Sequence, residues 1–302
     1  MSDADSGKLS SNGCSASAEQ EPEVSNRRLL WLRFVHNKML LAGSVIILIF
    51  VFMAILAPFI TGYDPFKRDI RHRFAGPSWT HVMGTDQLGR DIFTRIMYGT
   101  RISMQVGLLS VLIGITGGLI LGAISGYVGG LLDNLLMRLM DGFLAFPPLL
   151  LAIGLVAAAG PSLTNVAVVI GVVYIPRFAR VMRSSVLAQR EKEYVEAARA
   201  VGQSNFKIMW KHIGPNTLSP IIVLGTIIFA LAIIIEASLS FLGVGVPPPA
   251  PSWGMMLDEG RRYMSNSSWL PVWPGLAISV TVLGFNLFGD GLRDYLDPRV
   301  YK

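Results

Sequence analysis

The chain alternates long uncharged apolar runs with short, charge-dense connectors, and the length of each run decides how it is read. A helix needs roughly 20 residues to cross a hydrocarbon layer about 30 Å thick. Lys38 and Asp64 bracket one such run, predicting a first span over 39–60 that closes at Ala57-Pro58. Arg101 and Asp133 bracket a second. The stretch between Asp141 and Arg177 is too long for one crossing, and Gly160-Pro161 is the natural turn that divides it into a third and a fourth. The fourth is short, 162–176, so Arg177 and Arg180 are expected to snorkel toward the interface. Runs 218–242 and 270–288 supply the fifth and sixth. The pattern predicts an all-α membrane protein of six transmembrane helices.

Composition agrees: only 15% of the 302 residues are charged, where soluble domains carry roughly 25%. With the N-terminus inside, about two thirds of the Lys and Arg fall in cytoplasmic segments, as the positive-inside bias requires. Most of the remainder sit in one outer loop. Both termini are therefore expected in the cytoplasm. The net charge of +6 reports loop bias and does not point to nucleic acid. Residues 1–26, rich in Ser, Glu, Asp and Ala without periodicity, read as a disordered cytoplasmic tail. The lone Cys14 has no partner for an internal disulfide and follows no lipoprotein signal. The first apolar run is too long for a signal peptide and should remain as an anchor. Residues 27–60 are then a basic, aromatic interfacial helix (RRLLWLRFVHNK) and span one. Residues 61–101 form an extracytoplasmic loop long enough to suggest a functional surface, and 102–302 form a core of five spans.

Two features stand out inside that core. Ser110, Gly114, Gly118, Gly122 and Gly126 put a small residue at every fourth position of span two, leaving one helix face as nearly bare backbone for close approach by a neighbour. Between spans four and five, 190–216 is a polar island. Tyr194, Ala197, Ala198 and Val201 share one helix face; Gly202 is placed to end that helix in the left-handed conformation; Phe206, Met209, Trp210 and Ile213 repeat the spacing; Gly214-Pro215 is expected to stop the second helix. The two apolar stripes either pack on the protein's own helices or project from the cytoplasmic side to meet a partner.

The island "EAARAVG", followed eleven residues later by Gly-Pro, resembles the EAA motif of ABC importer permeases, the loop that docks into a groove of the ATPase subunit. Glu196, Ala197, Ala198 and Gly202 match the motif's positions, for which the resemblance implies close helix contact at the alanines, a fold-supporting glutamate and a bend at the glycine. The family commonly has leucine before the proline; this chain has Gly214 there, which softens the second half, and retains Pro215. "GTDQLGRDIFTRIMYGTRISM" at 84–104, "SLSFLGVGVPPPAPSWGMML" at 238–257 and "FNLFGDGLRDYLDPR" at 285–299 are similar, in order, to the C-type permease of dipeptide, oligopeptide and nickel importers.

The resemblance implies a type I ABC importer permease fold and a subunit that is no enzyme. The sequence carries no G-x-x-x-x-G-K-[ST] loop, so no cofactor is expected on this chain, and ATP and Mg belong to partners. Those partners are two ATPase subunits, a second homologous permease, an extracytoplasmic binding protein and membrane lipid, with residence in the bacterial cytoplasmic (inner) membrane. The coupling residues it implies are Glu196, Ala197, Ala198, Gly202, Phe206, Met209, Trp210, Ile213 and Pro215. Glu236, late in span five, needs a partner or water and is a candidate either for the translocation path or for a structural bond. Asp141 is expected to pair with Arg138. Asp86, Arg90 and Asp91, alternating with glycines, and Trp253 beside the Pro247-Pro248-Pro249 run, are candidates for docking the binding protein or for self-packed loops. Peptide and nickel systems share these motifs, and the lack of a membrane cluster of His or Met favours peptides. A secondary transporter or channel is the rival, predicting an inverted repeat or several intramembrane ionisable groups; a membrane enzyme lacks any H-E-x-x-H or Cys pair.

Overall fold

The computed structural model describes residues 34–296. The expected tail, most of the basic interfacial stretch and the last residues of the C-terminus lie outside this range. Among the described residues the chain is helical apart from loops, one short 3-10 turn and an isolated bridge between Thr85 and Asp91. Helix α1 spans Lys38–Ile60, α2 Ile92–Val128, α3 Gly130–Leu144, α4 Pro148–Ala159, α5 Leu163–Arg190, α6 Glu193–Ala200, α7 Asn205–Ile208, α8 Gly214–Phe241, α9 Trp253–Arg262 and α10 Trp269–Leu296. Five helical segments are long and apolar enough to cross a membrane, and the bent pair α3–α4 would make a sixth.

Four of the helices start where a side chain takes up an orphan N–H group. Asn37 accepts from Leu40 N at 3.0 Å, Asp91 from Thr94 N at 2.8 Å, Ser162 from Asn165 N at 3.0 Å and Ser252 from Met255 N at 3.2 Å. The Asp91 cap starts α2 well before the expected Arg101 boundary, so the outer loop ends at residue 91. At about 1.5 Å per residue, a helix of 37 residues exceeds the bilayer core; its first turns instead lie buried beneath the outer loop, which is how Arg95 is accommodated. The third span also departs from expectation. Gly129, at φ 71°, separates α2 from α3, and Pro147-Pro148 follow the end of α3, so that α3 and α4 meet at 91°. Helix α5 runs on through Pro176 and the arginines as one helix to Arg190.

The tightest packing joins α2 to α5. Ser110, Gly114, Gly118, Gly122 and Gly126 are all buried, as the spacing predicts. A Cβ on Gly114 would lie 2.9 Å from the Phe178 ring, one on Gly118 2.9 Å from Ala179 N and closer still to Phe178 Cβ, and one on Gly126 2.9 Å from Arg183 O. The seam is thus helix backbone laid against helix backbone, where dispersion contacts replace the hydrophobic drive that lipid does not supply. Ser110 adds a 2.9 Å bond to Ala167 O across it. A smaller seam joins α1 to α10 through Gly43, Gly284 and Gly291, and Asn37 Nδ2 donates to Gly291 O at 3.0 Å.

Gly118→Ala should destabilise the purified protein by about 2 kcal/mol, because neither neighbouring backbone can yield. Gly142→Ala meets nothing within 4 Å and should be neutral or stabilising by up to about 1 kcal/mol. Unfolding in SDS reads both; equal responses would contradict the tight seam.

Candidate functional site

The polar island folds into an elbow of α6, Gly202, α7 and a π turn. Helix α6 closes in a Schellman arrangement: Gly202 N donates to Arg199 O at 2.9 Å and Gln203 N to Ala198 O at 3.1 Å, with Gly202 at φ 80°. Nothing crowds Gly202. The positive φ, and not space, is what demands glycine there.

Beyond the bend, the second helix does not stop at Gly214-Pro215. Met209–Ile213 forms a π turn in which Gly214 N reaches back to Met209 O, and the helix continues as α8. The wider turn makes room for the Pro215 ring and tolerates its missing N–H. Residues 205–241 are consequently one continuous helix. What happens to the elbow is carried directly into that span.

The two faces of the elbow have separate uses. Val195, Ala198, Ile208 and Ile213 are buried and fasten it to the bundle. Tyr127 Oη donates to Asn205 Oδ1 at 2.8 Å and His212 Nε2 pairs with Gln203 Oε1 at 3.0 Å. Most of the two expected stripes face outward instead: Val201 is 80% exposed, Phe206 79% and Trp210 77%. Tyr194, Glu196 and Ala197 are exposed too, Met209 is half-buried, and Pro215 lies at the surface. Ala198 and Ile213 leave the stripes and join the buried face. Phe206 and Trp210 edge an apolar groove of about 680 Å³ that continues along Ile120, Ile124 and Leu218.

The helix ends on the side of the elbow are tied by ions. Arg183 grips Asp133 with two 2.6 Å bonds, and Ser125 also donates to that carboxylate. Asp141 pairs with Arg180 on α5, not with Arg138 as spacing within one helix predicts, because the 91° bend lays α3 along α5. Arg190 donates to the end of α2 at Tyr127 O, 3.1 Å.

The residues expected to meet a partner outside are internal. Arg90 Nε bonds Asp86 Oδ2 at 2.6 Å and its Nη2 bonds Glu259 Oε2 at 3.1 Å; Arg95 stands 3.6 Å from each of the same carboxylates. Asp91 accepts from Thr94 and from His81 Nδ1, the latter at 2.9 Å. Trp253 is wholly buried, donates to Ile96 O at 3.2 Å and lies edge-on to Phe50. Asp86, Arg90, Asp91 and Trp253 therefore cannot themselves touch a docked protein: they lock loop 61–91 and α9 into one outer cap. Arg95 and Glu259 complete the lock. The D-I-F-T sequence, a helix cap with its N3 threonine, is the signal that would have placed Arg95 inside a helix.

Glu236 is also closed off from every surface of the chain. Ser240 donates to it at 2.9 Å and Ser103 at 3.4 Å, which joins α8 to α2 where Gly254 of α9 packs on Ala237. Of its two expected roles, the structural bond is the one its position supplies.

A multi-span helical protein with a glycine-bent elbow feeding straight into a span is built like the membrane subunit of a transport machine. The family model described as binding-protein-dependent transport system inner membrane component matches residues 118–302, and that of the N-terminal TM domain of oligopeptide transport permease C matches 25–77. The chain belongs to this family of transport-system membrane components. It is 45% identical over 282 residues (93% of each chain) to a dipeptide transport system permease protein of Alkalihalophilus pseudofirmus. It is 41% identical over 276 residues (89% of this chain, 91% of the relative) to a di/tripeptide transport system permease protein of Pseudomonas aeruginosa. A glutathione transport system permease protein of Pectobacterium atrosepticum is 42% identical over 274 residues, 90% of this chain and 91% of its own.

Arg90→Met leaves the buried Asp86 and the half-buried Glu259 short of a cation and should cost about 3 kcal/mol in SDS unfolding. Arg261→Ala removes an exposed partner of Asp258 and should cost less than about 1 kcal/mol. A comparable loss from both would mean that the cap is not held by its buried ions.

Proposed function

We propose that this chain is the permease subunit of an ATP-driven importer of short peptides in the bacterial inner membrane, with both termini in the cytoplasm. Residues 27–60 enter and cross the membrane, 61–91 with α9 form the outer cap, and the remainder is the translocating core with its coupling loop at 190–216. The observation that carries the reading is the elbow: exposed aromatic and aliphatic side chains at the tip of a structure fastened by a separate buried face. Two ATPase subunits, which hold the ATP and Mg, receive this tip, one on this chain and one on a homologous second permease. A substrate-binding protein delivers peptide from outside. The peptide class rests on the relatives, whose names specify dipeptides, di/tripeptides and glutathione.

Mechanically, ATP-driven closure of the ATPases pushes the two elbows together. Because residues 205–241 form one helix, displacement of Phe206 and Trp210 tilts α8, and the ion-tied α3 and α5 follow. The result is alternating access by rigid-body rocking of the hinge or shear type. Glu196, Ala197 and Ala198 shape the contacting helix, Gly202 sets its angle, Phe206, Met209 and Trp210 make the apolar contact, and Ile213 and Pro215 transmit it. A buried aromatic anchor at such an interface is worth at least about 2 kcal/mol.

The test uses purified complexes reconstituted with the ATPases and binding protein. Trp210→Ala should weaken ATPase-subunit association at least tenfold. Gly202→Asn, which tolerates φ > 0, should retain most substrate-stimulated ATP hydrolysis, while Gly202→Val should lose most of it. Normal stimulation in both Gly202→Val and Trp210→Ala would refute the coupling assignment.

A further inference from the structure

The outer cap carries a surface that coupling leaves unused. Residues 67–73, Lys-Arg-Asp-Ile-Arg-His-Arg, form a rim whose Lys67, Arg68, Arg71 and Arg73 are exposed. Exposed with them are Ile70 at the start of the 3-10 turn and, on the neighbouring loop, Val82 and a fully exposed Trp79. Four cations in seven residues on the outer side run against the positive-inside bias.

The rim is also held ready. Asp69 N donates to Leu88 O at 3.0 Å, Asp69 Oδ2 pairs with His72 at 2.8 Å, and Gly89 lies so close under the Asp69 backbone that no side chain would fit. The His72 bond holds the Asp69 carboxyl below its usual range. Through residues 86–90 the rim is anchored to the buried Asp86–Arg90–Glu259 lock. A fixed array of charges loses little entropy when it binds, which is what rapid and specific docking requires.

Its concave side narrows the choice of occupant. Between the rim and the turn that carries Trp79 lies a pocket of about 330 Å³, lined by Tyr63, Asp64, Lys67, Asp69, His81 and Asp91 among others. A layer of lipid phosphates would meet the cations but would be repelled by those three carboxylates, and a membrane surface has no knob to fill the hollow. A protein surface can set acidic groups over the rim cations and a protruding neutral or basic side chain over the carboxylates of the hollow. We propose that rim 67–73 and Trp79 form the seat of the extracytoplasmic binding protein, engaging an acidic face of that protein with Trp79 as the apolar anchor. This rests on the importer reading above.

The experiment measures ATP hydrolysis by the whole reconstituted complex against the concentration of its purified binding protein. It is run in nanodiscs of phosphatidylcholine alone and of phosphatidylcholine with phosphatidylglycerol. For the wild type, raising ionic strength from low to several hundred millimolar should raise the half-saturating concentration about tenfold. Arg68→Glu/Arg71→Glu/Arg73→Glu should raise it at least tenfold and flatten its salt dependence, equally in both lipids, and Trp79→Ala should raise it about tenfold at every salt concentration. If the triple variant does not assemble, the single Arg→Gln variants and the wild-type salt dependence decide the matter alone. Unchanged half-saturation in the variants, or an effect confined to the phosphatidylglycerol discs, overturns the seat while leaving the importer intact. A wild-type complex that no concentration of binding protein stimulates removes the importer reading itself, and the seat with it.

Discussion

The structure depends on one contact, the glycine seam between α2 and α5. In lipid, apolar side chains gain nothing by leaving their surroundings for one another, so two helices hold together only by fitting closely or bonding directly. Gly114, Gly118, Gly122 and Gly126 let Phe178, Ala179 and Met182 approach to backbone distance over four turns. Both helices then outrun the seam. Helix α2 continues outward to Asp91 beneath the cap, and α5 continues inward to Arg190, next to the elbow. One rigid pair therefore joins the two ends of the molecule where partners are proposed to act.

Charge is distributed according to the same division of labour. At the inner ends, Asp133–Arg183 and Asp141–Arg180 bind the bent α3 to α5, so a push on one helix is shared by its neighbour. At the opposite end, the buried Asp86, Arg90 and Arg95 and the half-buried Glu259 sit together and make the cap one body. A buried network of this kind adds little net stability relative to an apolar core; its value lies in admitting one geometry. Glu236 performs a comparable task at the α8–α2–α9 junction with serine hydroxyls as donors.

Much of this was legible in the residues because it depends on local chemistry. The apolar runs located the spans, the four-residue period of small residues located the seam, and the helix–glycine–helix pattern located the elbow and its positive φ at Gly202. Boundaries set by a cap were legible in principle: Asp91 with Thr94 starts α2, although the more conspicuous charge at Arg101 suggested a later beginning. The π turn was not legible. Gly-Pro ordinarily ends a helix, and only the i−5 bond from Gly214 to Met209, which needs the preceding turn to widen, carries the helix past Pro215.

The sequence by itself determined that the chain crosses a membrane repeatedly, where it bends, and which residues form the elbow, since hydropathy, small-residue spacing and glycine conformation are properties of neighbours along the chain. Only the tertiary structure decided which charges are internal and which are offered. Asp86, Arg90, Asp91 and Trp253 read equally as docking residues or self-packed loops, and Glu236 as path-lining or structural, until Glu259, Arg95 and Ser103, distant in sequence, are seen beside them. The stripes of the elbow read equally well as core until Val195 and Ile208 are seen to hold it from the other side, leaving Phe206 and Trp210 free. Burial is set by what the rest of the chain places around a residue, and no local pattern contains that.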